Sequence, residues 1–173
     1  MTAVIQATLN GIMMGSMYGL TALGLTLIFG VMKVINFAHG SLLMVGMFSA
    51  YWLIKLTGIH PYLALLIVPP VLYVFGYYLQ DVVIKPVFKA ERQTREPATV
   101  IIVTTGVWYV LDNLSLMLFG AEYRTVRTAI SNKSMALGPY ILSIPKFSGF
   151  VIAVLATIGL ALFMRTTKIG MAL

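Results

Sequence analysis

Two small sets of polar residues interrupt an otherwise apolar chain. The first is Asn36 and His39, in the run Ile35-Asn36-Phe37-Ala38-His39-Gly40 between two long apolar stretches. The second is Asp112 with Asn113 beside it, preceded about two helical turns earlier by Thr104 and Thr105. Amide, imidazole and carboxylate groups are costly at membrane depth unless they pack in protein or face a water-filled path. Their chemistry there would be to line a solute pathway, to contact another subunit or, for Asp112, to carry a proton. Structural roles stand beside these. Asn36 would cap the following helix by accepting amide hydrogen bonds, and His39 would sit at headgroup level. Asp112 must be paired, protonated or in contact with water, with another helix or Arg124 as the partner. Thr104 and Thr105 would bond to their own helix backbone.

Other chemistry has no residues to perform it. There is no G-x-x-x-x-G-K-[ST] phosphate loop, no H-E-x-x-H, no serine elbow and no paired catalytic carboxylates. The chain is therefore expected to be no enzyme and to need no cofactor. His39 and His60 are too isolated for a metal site, and zero cysteine excludes thiolate ligands and disulfides. Asn132-Lys133-Ser134 matches a glycosylation acceptor, a three-residue pattern of low specificity.

These residues need elements to hold them, and composition says what solvent those elements face. Hydrophobic residues make up 60% of the 173 and charged residues 10%, with a mean hydropathy of +0.94. Soluble domains hold about 45–50% apolar and about 25% charged residues, so lipid is the solvent here. The net charge of +7 comes without any recognition motif for nucleic acid. The twelve Lys and Arg fall mostly at the ends of apolar runs, as topology charges do.

The fold class expected is all-α, a polytopic transmembrane helical bundle in one domain over 1–173, with about five spans. A span needs about 20 apolar residues, which places them at roughly 4–32, 40–56, 62–79, 98–119 and 147–164. The first is too long for the apolar core of a signal peptide and lacks the preceding basic region. Pro69-Pro70 should kink the third. The densest charge run, Lys85 to Glu96, is assigned to the cytoplasm. Alternation then puts the amino terminus and the long loop Gly120–Lys146 outside, and the Lys33–His39 hinge, Arg165 and Lys168 inside. Tyr51, Trp52, Tyr77, Tyr78 and Tyr123 sit near span ends as interfacial anchors, with Lys55 and Lys146 snorkelling from the same level. Gly11, Gly15 and Gly19 repeat every fourth residue, with Gly24 and Gly30 following, which predicts a buried helix-packing seam or a sliding one.

The wording of these segments resembles the amino-terminal part of the permease subunits of bacterial branched-chain amino acid ABC importers. The hexapeptide I-N-F-A-H-G at 35–40, following L-G-L-T-L-I-F-G-V at 23–31, carries most of the likeness. Lys85-Pro86-Val87 is similar to that family's R-P-V run. Thr104-Thr105-Gly106 through Asn113 to Leu118-Phe119-Gly120 resembles its T-x-G…Q-N…F-G span, with Asp112 where glutamine is more usual. Arg165-Thr166…Gly170…Ala172 is similar to the lead-in to its coupling loop.

The resemblance implies a C-terminally truncated permease, with about three further spans expected beyond Leu173. It implies a bacterial inner (plasma) membrane location and four kinds of partner: the lipid bilayer, a second permease subunit, two cytoplasmic ATPase subunits and a periplasmic amino-acid-binding protein. Arg124 and Arg127, in the outer loop, are then candidates for docking that binding protein. Other readings stay open: a related permease for urea, short amides or other small solutes, a proton-coupled carrier using Asp112, or a non-transporting scaffold.

Overall fold

The computed structural model describes residues 2–32, 36–87, 98–127, 131 and 133–166. Lys33 and Ile35 of the hinge, the charge run beyond Val87, Asn132, Lys168, Gly170 and Ala172 lie outside the described residues. Among the described residues, five helices are long and apolar enough to cross a membrane, which makes the chain an all-α polytopic membrane protein. They are α1 (Thr2–Met32), α2 (His39–Thr57), α3 (Pro61–Leu79), α4 (Ala98–Phe119) and α5 (Ile144–Thr166). At 1.5 Å per residue, α1 is about 46 Å long and exceeds the roughly 30 Å hydrocarbon layer. Little of this surface is covered by protein: only 6% of the spanning window of α1 is buried, and 22% in α4.

The chain divides into two compact units. One comprises Val34–Val126 and holds α2, α3 and α4. Helix α2 ends at Gly58, whose φ of 66° is a left-handed cap that glycine adopts without a Cβ penalty; its amide bonds Ile54 O at 2.9 Å. His60 is then extended, the conformation favoured before proline, and Pro61 opens α3 at a position with no amide to lose. The backbone stays helical through Pro69 and Pro70. After Leu79 it widens into a π-turn, Gln80–Ile84, where Lys85 N–H reaches Gln80 O. The wide turn falls just ahead of Pro86, whose ring has no donor and would crowd the Val82 carbonyl in a regular helix. Helices α2 and α3 meet closely at Gly46, where an added Cβ would lie 2.8 Å from Leu72 Cδ1.

The other unit gathers Met1–Lys33 and Arg127–Leu173, in which α1 packs along α5. Here the loop expected between Gly120 and Lys146 contains a β-hairpin: β1 (Ser134–Leu137) pairs antiparallel with β2 (Tyr140–Ser143). Gly138-Pro139 makes the two-residue turn. Gly138, at φ 62°, supplies the positive φ of the first turn position, and the ring of Pro139 fixes the second. Leu142 is buried under the hairpin. Gln6 of α1 completes the edge of β2: its Nε2 donates to Ile141 O at 2.6 Å and its Oε1 accepts from Ile141 N at 3.0 Å. One side chain thereby satisfies two backbone groups that would otherwise be left on an open edge.

The glycine stripe does not form the expected seam within this unit. Gly11, Gly15 and Gly19 are exposed, and a Cβ added at any of them would meet nothing within 4 Å. Helix α1 meets α5 on its other side, where Met13 is buried and Met17 lies against Gly149. Residues two apart differ by about 200° around a helix, so Met13 and Met17 point away from the stripe. Gly24 is half-buried.

The close contact is testable. A Cβ at Gly149 would come within 2.8 Å of Met17 Sδ, so Gly149→Val should destabilise α1–α5 packing by about 1–3 kcal/mol. Gly159, on the same helix, has open space around it, and Gly159→Ala should be neutral or stabilising by up to about 1 kcal/mol. Thermal unfolding in detergent compares the two. Equal midpoints for both variants would refute the contact.

Candidate functional site

The polar groups collect where the lead-in to α2 meets α4. Asn36 forms a local turn: its Oδ1 accepts from Ala38 N at 3.0 Å, and its carbonyl accepts from His39 N at 3.2 Å. This corrects the expected cap. The N-cap of α2 is Ala38, which makes no side-chain cap bond, and the Asn36 amide instead folds the two residues before the helix, as Asn does in turns. Ala38 is 1% exposed, so the turn is held to the unit through that residue, while Phe37 beside it stays exposed. The turn places Phe37 N–H 3.4 Å from Thr104 Oγ1 on α4. Thr104, itself 1% exposed, also donates to Ile101 O at 3.1 Å, and Thr105 donates to the same carbonyl at 2.7 Å.

Two helical turns along α4 stands Asp112. Its Oδ1 accepts from Ser41 Oγ of α2 at 2.6 Å, and its Oδ2 accepts from Trp108 Nε1 at 2.7 Å. Ser41 is 3% exposed and Asp112 half-buried. Both carboxylate oxygens therefore hold donors. The expected pairing with Arg124 is not made. Arg124 instead donates to Phe119 O, and its guanidinium lies 5.8 Å from the Tyr51 ring centroid and 5.5 Å from that of Trp52. Arginine stacks readily on aromatic faces, and Asp112 is about 10 Å further down the helix axis from Phe119. The two charges are solved separately.

The remaining candidates scatter. Asn113 is exposed and donates to Tyr109 O of its own helix at 2.7 Å. His39, at the first turn of α2, is half-buried, and its Nε2 is enclosed with no hydrogen-bond partner among the described residues. Arg127 is exposed. No cluster of metal-ligating side chains occurs among the described residues. Two participants escaped sequence reasoning, Ser41 and Trp108. The Trp108–Asp112 spacing of four was a usable signal, because such pairs face each other on a helix. Nothing in the sequence marks Ser41, whose role depends on which helix packs against α4.

What this arrangement does is pin the start of α2 to α4 at two heights, through Phe37–Thr104 and through Ser41–Asp112. Asp112→Ala would strip the acceptor from a buried hydroxyl and an indole at once, and should cost about 1–3 kcal/mol. Asp112→Asn keeps one acceptor oxygen and should fall between. Unfolding midpoints in detergent should rank wild type above Asp112→Asn above Asp112→Ala, and an Asp112→Ala midpoint equal to wild type would refute the clasp.

The family model described as "Branched-chain amino acid transport system / permease component" matches residues 7–173. Individual relatives agree. The high-affinity branched-chain amino acid transport system permease protein BraD of Pseudomonas aeruginosa is 26% identical, the match covering 97% of this chain and 57% of BraD. LivH of Salmonella typhimurium, of the same printed description, is 24% identical over 97% of this chain and 57% of its own length. LivH of Escherichia coli is 40% identical over 50 residues, 29% of this chain and 16% of that protein. The chain thus spans about half the length of the curated relatives it matches. No solved structure matches it. With its five membrane-length helices and a match to the family over nearly all of its length, the chain belongs to the branched-chain amino acid transport permease components.

Proposed function

We propose that the chain is a membrane-embedded subunit of an ATP-driven importer, forming part of the path by which branched-chain amino acids cross the inner membrane. The family match over residues 7–173 carries this reading. On it, the chain supplies part of one permease domain, without ATPase chemistry of its own. Two cytoplasmic ATPases, a second permease subunit and a periplasmic amino-acid-binding protein complete the machine. Nucleotide binding drives transport only by favouring one conformation over another, so the permease must have packed elements that shift as bodies. The pinned pair α2–α4 is such an element. Asn36, His39, Thr104, Thr105 and Asp112 are then pathway or subunit-contact residues near its polar patch, and Asn113 lies on the outer side of the same helix. The open face of Gly11, Gly15 and Gly19, with Gly24 further along, suits close approach by a helix of the assembly. Because Arg124 is packed on aromatic rings, docking of the binding protein falls chiefly to exposed Arg127.

Vesicles holding this chain with its partner subunits should accumulate labelled leucine only when ATP is supplied to the ATPases. Uptake that survives without the ATPases and collapses with the pH gradient would replace this reading with a proton-coupled carrier. Arg127→Glu should weaken binding-protein docking several-fold, more than Arg124→Glu weakens it, and unchanged affinity in Arg127→Glu would remove Arg127 from the docking surface.

A further inference from the structure

Helices α2 and α4 finish beside each other at a cluster of two cations and two rings. Lys55 Nζ lies 4.9 Å from the Trp52 ring centroid and 5.7 Å from that of Tyr51, and the Arg124 guanidinium lies against the same two rings. Neither cation has a carboxylate within ion-pairing distance among the described residues. Glu122, exposed two residues from Arg124, pairs with neither. Asp112, deeper along α4, has both oxygens taken by Ser41 and Trp108. The helix ends neutralise part of the charge: Lys55 is in the last turn of α2, and Arg124 donates to Phe119 O where α4 closes. A helix C-terminus carries roughly −0.5 elementary charge, so two such ends offset two cations only by half. About one positive charge is left over. Lys55 is exposed, and its ammonium is the donor that a ligand can reach.

The cations adjoin an apolar space. Between α2 and α4 lies a cavity of about 290 Å³ lined by Val45, Phe48, Ser49, Trp52, Ser115 and Phe119. Phe48 and Phe119 stack across it at 4.5 Å between ring centroids. Trp52 and Phe119, 5.9 Å apart, stand at the end next to the cations. From Val45 to Trp52 the cavity follows α2 for seven residues, about 10 Å. Ser49 turns its hydroxyl onto Val45 O at 2.8 Å, which leaves the lining largely hydrocarbon and aromatic.

We propose that this end of the unit binds one net-anionic phospholipid, its phosphate on Lys55 within the field of Arg124 and the upper part of one acyl chain in the cavity. Tyrosine and tryptophan favour the headgroup level of a bilayer, so the cations stand at the depth of lipid phosphates. Basic pockets between membrane helices take anionic headgroups. A free anion would leave the apolar cavity empty, whereas a phospholipid reaches both parts with one molecule. A choline or ethanolamine headgroup would bring a third cation to the cluster, which selects a headgroup without one. The occupied site ties the ends of α2 and α4 together beyond the reach of the Asp112 clasp, whatever solute the chain serves.

The test is native mass spectrometry of the full chain, released from nanodiscs of equal dioleoyl phosphatidylethanolamine and dioleoyl phosphatidylglycerol. One phosphatidylglycerol should stay bound, enriched several-fold over phosphatidylethanolamine. Lys55→Gln should cut that enrichment about fivefold, the effect of one basic residue near the membrane surface, and Lys55→Arg should retain it. Lys85→Gln, at an exposed lysine paired with Asp81, should leave it unchanged. Ser115→Leu, which fills the cavity, should lower retention of either lipid; should it aggregate on size exclusion, the lysine variants carry the test. Glycerophosphoglycerol, the headgroup without its chains, should fail to displace the lipid, and full displacement by it would reveal an anion site only and overturn the proposal. Equal retention of the two lipids overturns it, as does enrichment unchanged in Lys55→Gln or lost equally in Lys85→Gln. So does a lipid-free dimer that Ser115→Leu disrupts, which would put a second copy of the chain over the cavity.

Discussion

A carboxylate on an apolar helix has to find its donors inside the molecule, and the arrangement of α2 against α4 follows from how Asp112 does so. Water could satisfy an exposed acid at no structural cost; hydrocarbon cannot. Asp112 takes one donor from its own helix, Trp108 one turn earlier, and one from α2, Ser41. The first bond fixes the rotamer of the acid and the second fixes the neighbour. Once Ser41 is held, the short stretch before α2 has little freedom, and the Asn36 turn with Phe37 N–H on Thr104 is the arrangement that leaves its amides paired. Measured interhelical hydrogen bonds in membranes contribute modestly, about 0.6 kcal/mol on average. The larger effect is the penalty avoided at every polar group that would otherwise face lipid.

The same solvent explains why so little else is buried. Val4, Tyr18, Leu66, Tyr73, Met117 and Leu155 are all more than 60% exposed, a pattern that would aggregate in water and is ordinary against acyl chains. In lipid there is no hydrophobic force pressing helices together, so contact depends on shape and on small residues. At Gly46 under Leu72 and at Gly149 under Met17, a glycine lets a neighbouring side chain come within Cβ range. Both neighbours are flexible side chains, and methionine in particular adapts its shape to an irregular gap.

Much of this was legible in the residues. Helix number and type followed from run length and apolar content, because hydrocarbon thickness sets a minimum that few other constraints can imitate. The bonding of Thr104 and Thr105 to their own helix was readable from residue type alone. What pairs with Asp112 was not, because that depends on which helix lies beside α4, and no local pattern encodes a neighbour. Arg124 was the reasonable partner by charge, yet the cation found aromatic faces nearer at hand in Tyr51 and Trp52. The hairpin in the long loop before α5 was within reach. Gly138-Pro139 is a strong turn signal, and Met135, Leu137 and Ile141 around it carry β-compatible side chains; the apolar runs on either side simply dominated the pattern. The glycine stripe, expected as a buried or sliding seam, lies open within its own unit, and small residues do not say which molecule would lie against them.

The two units meet the demands of hydrocarbon by different means, and the difference bears on movement. Helices α2 and α4 are joined by directional bonds from Ser41 and Phe37 and by stacked rings at Phe48 and Phe119, contacts that fail together if one helix slides. Helices α1 and α5 are joined by side-chain packing, with no side-chain hydrogen bond between them among the described residues. Dispersion contacts are individually about 0.1–0.2 kcal/mol and largely interchangeable, so such a seam can shift by small steps and repack, as in shear motion. Gln6 limits that freedom at one end by fastening α1 to Ile141 of the hairpin. This assigns rigidity to the pair that carries the polar patch and compliance to the pair that carries the open glycine face. A polar clasp that loosened would strand Asp112 without its donors, whereas a packed seam can give way and re-form without stranding any polar group.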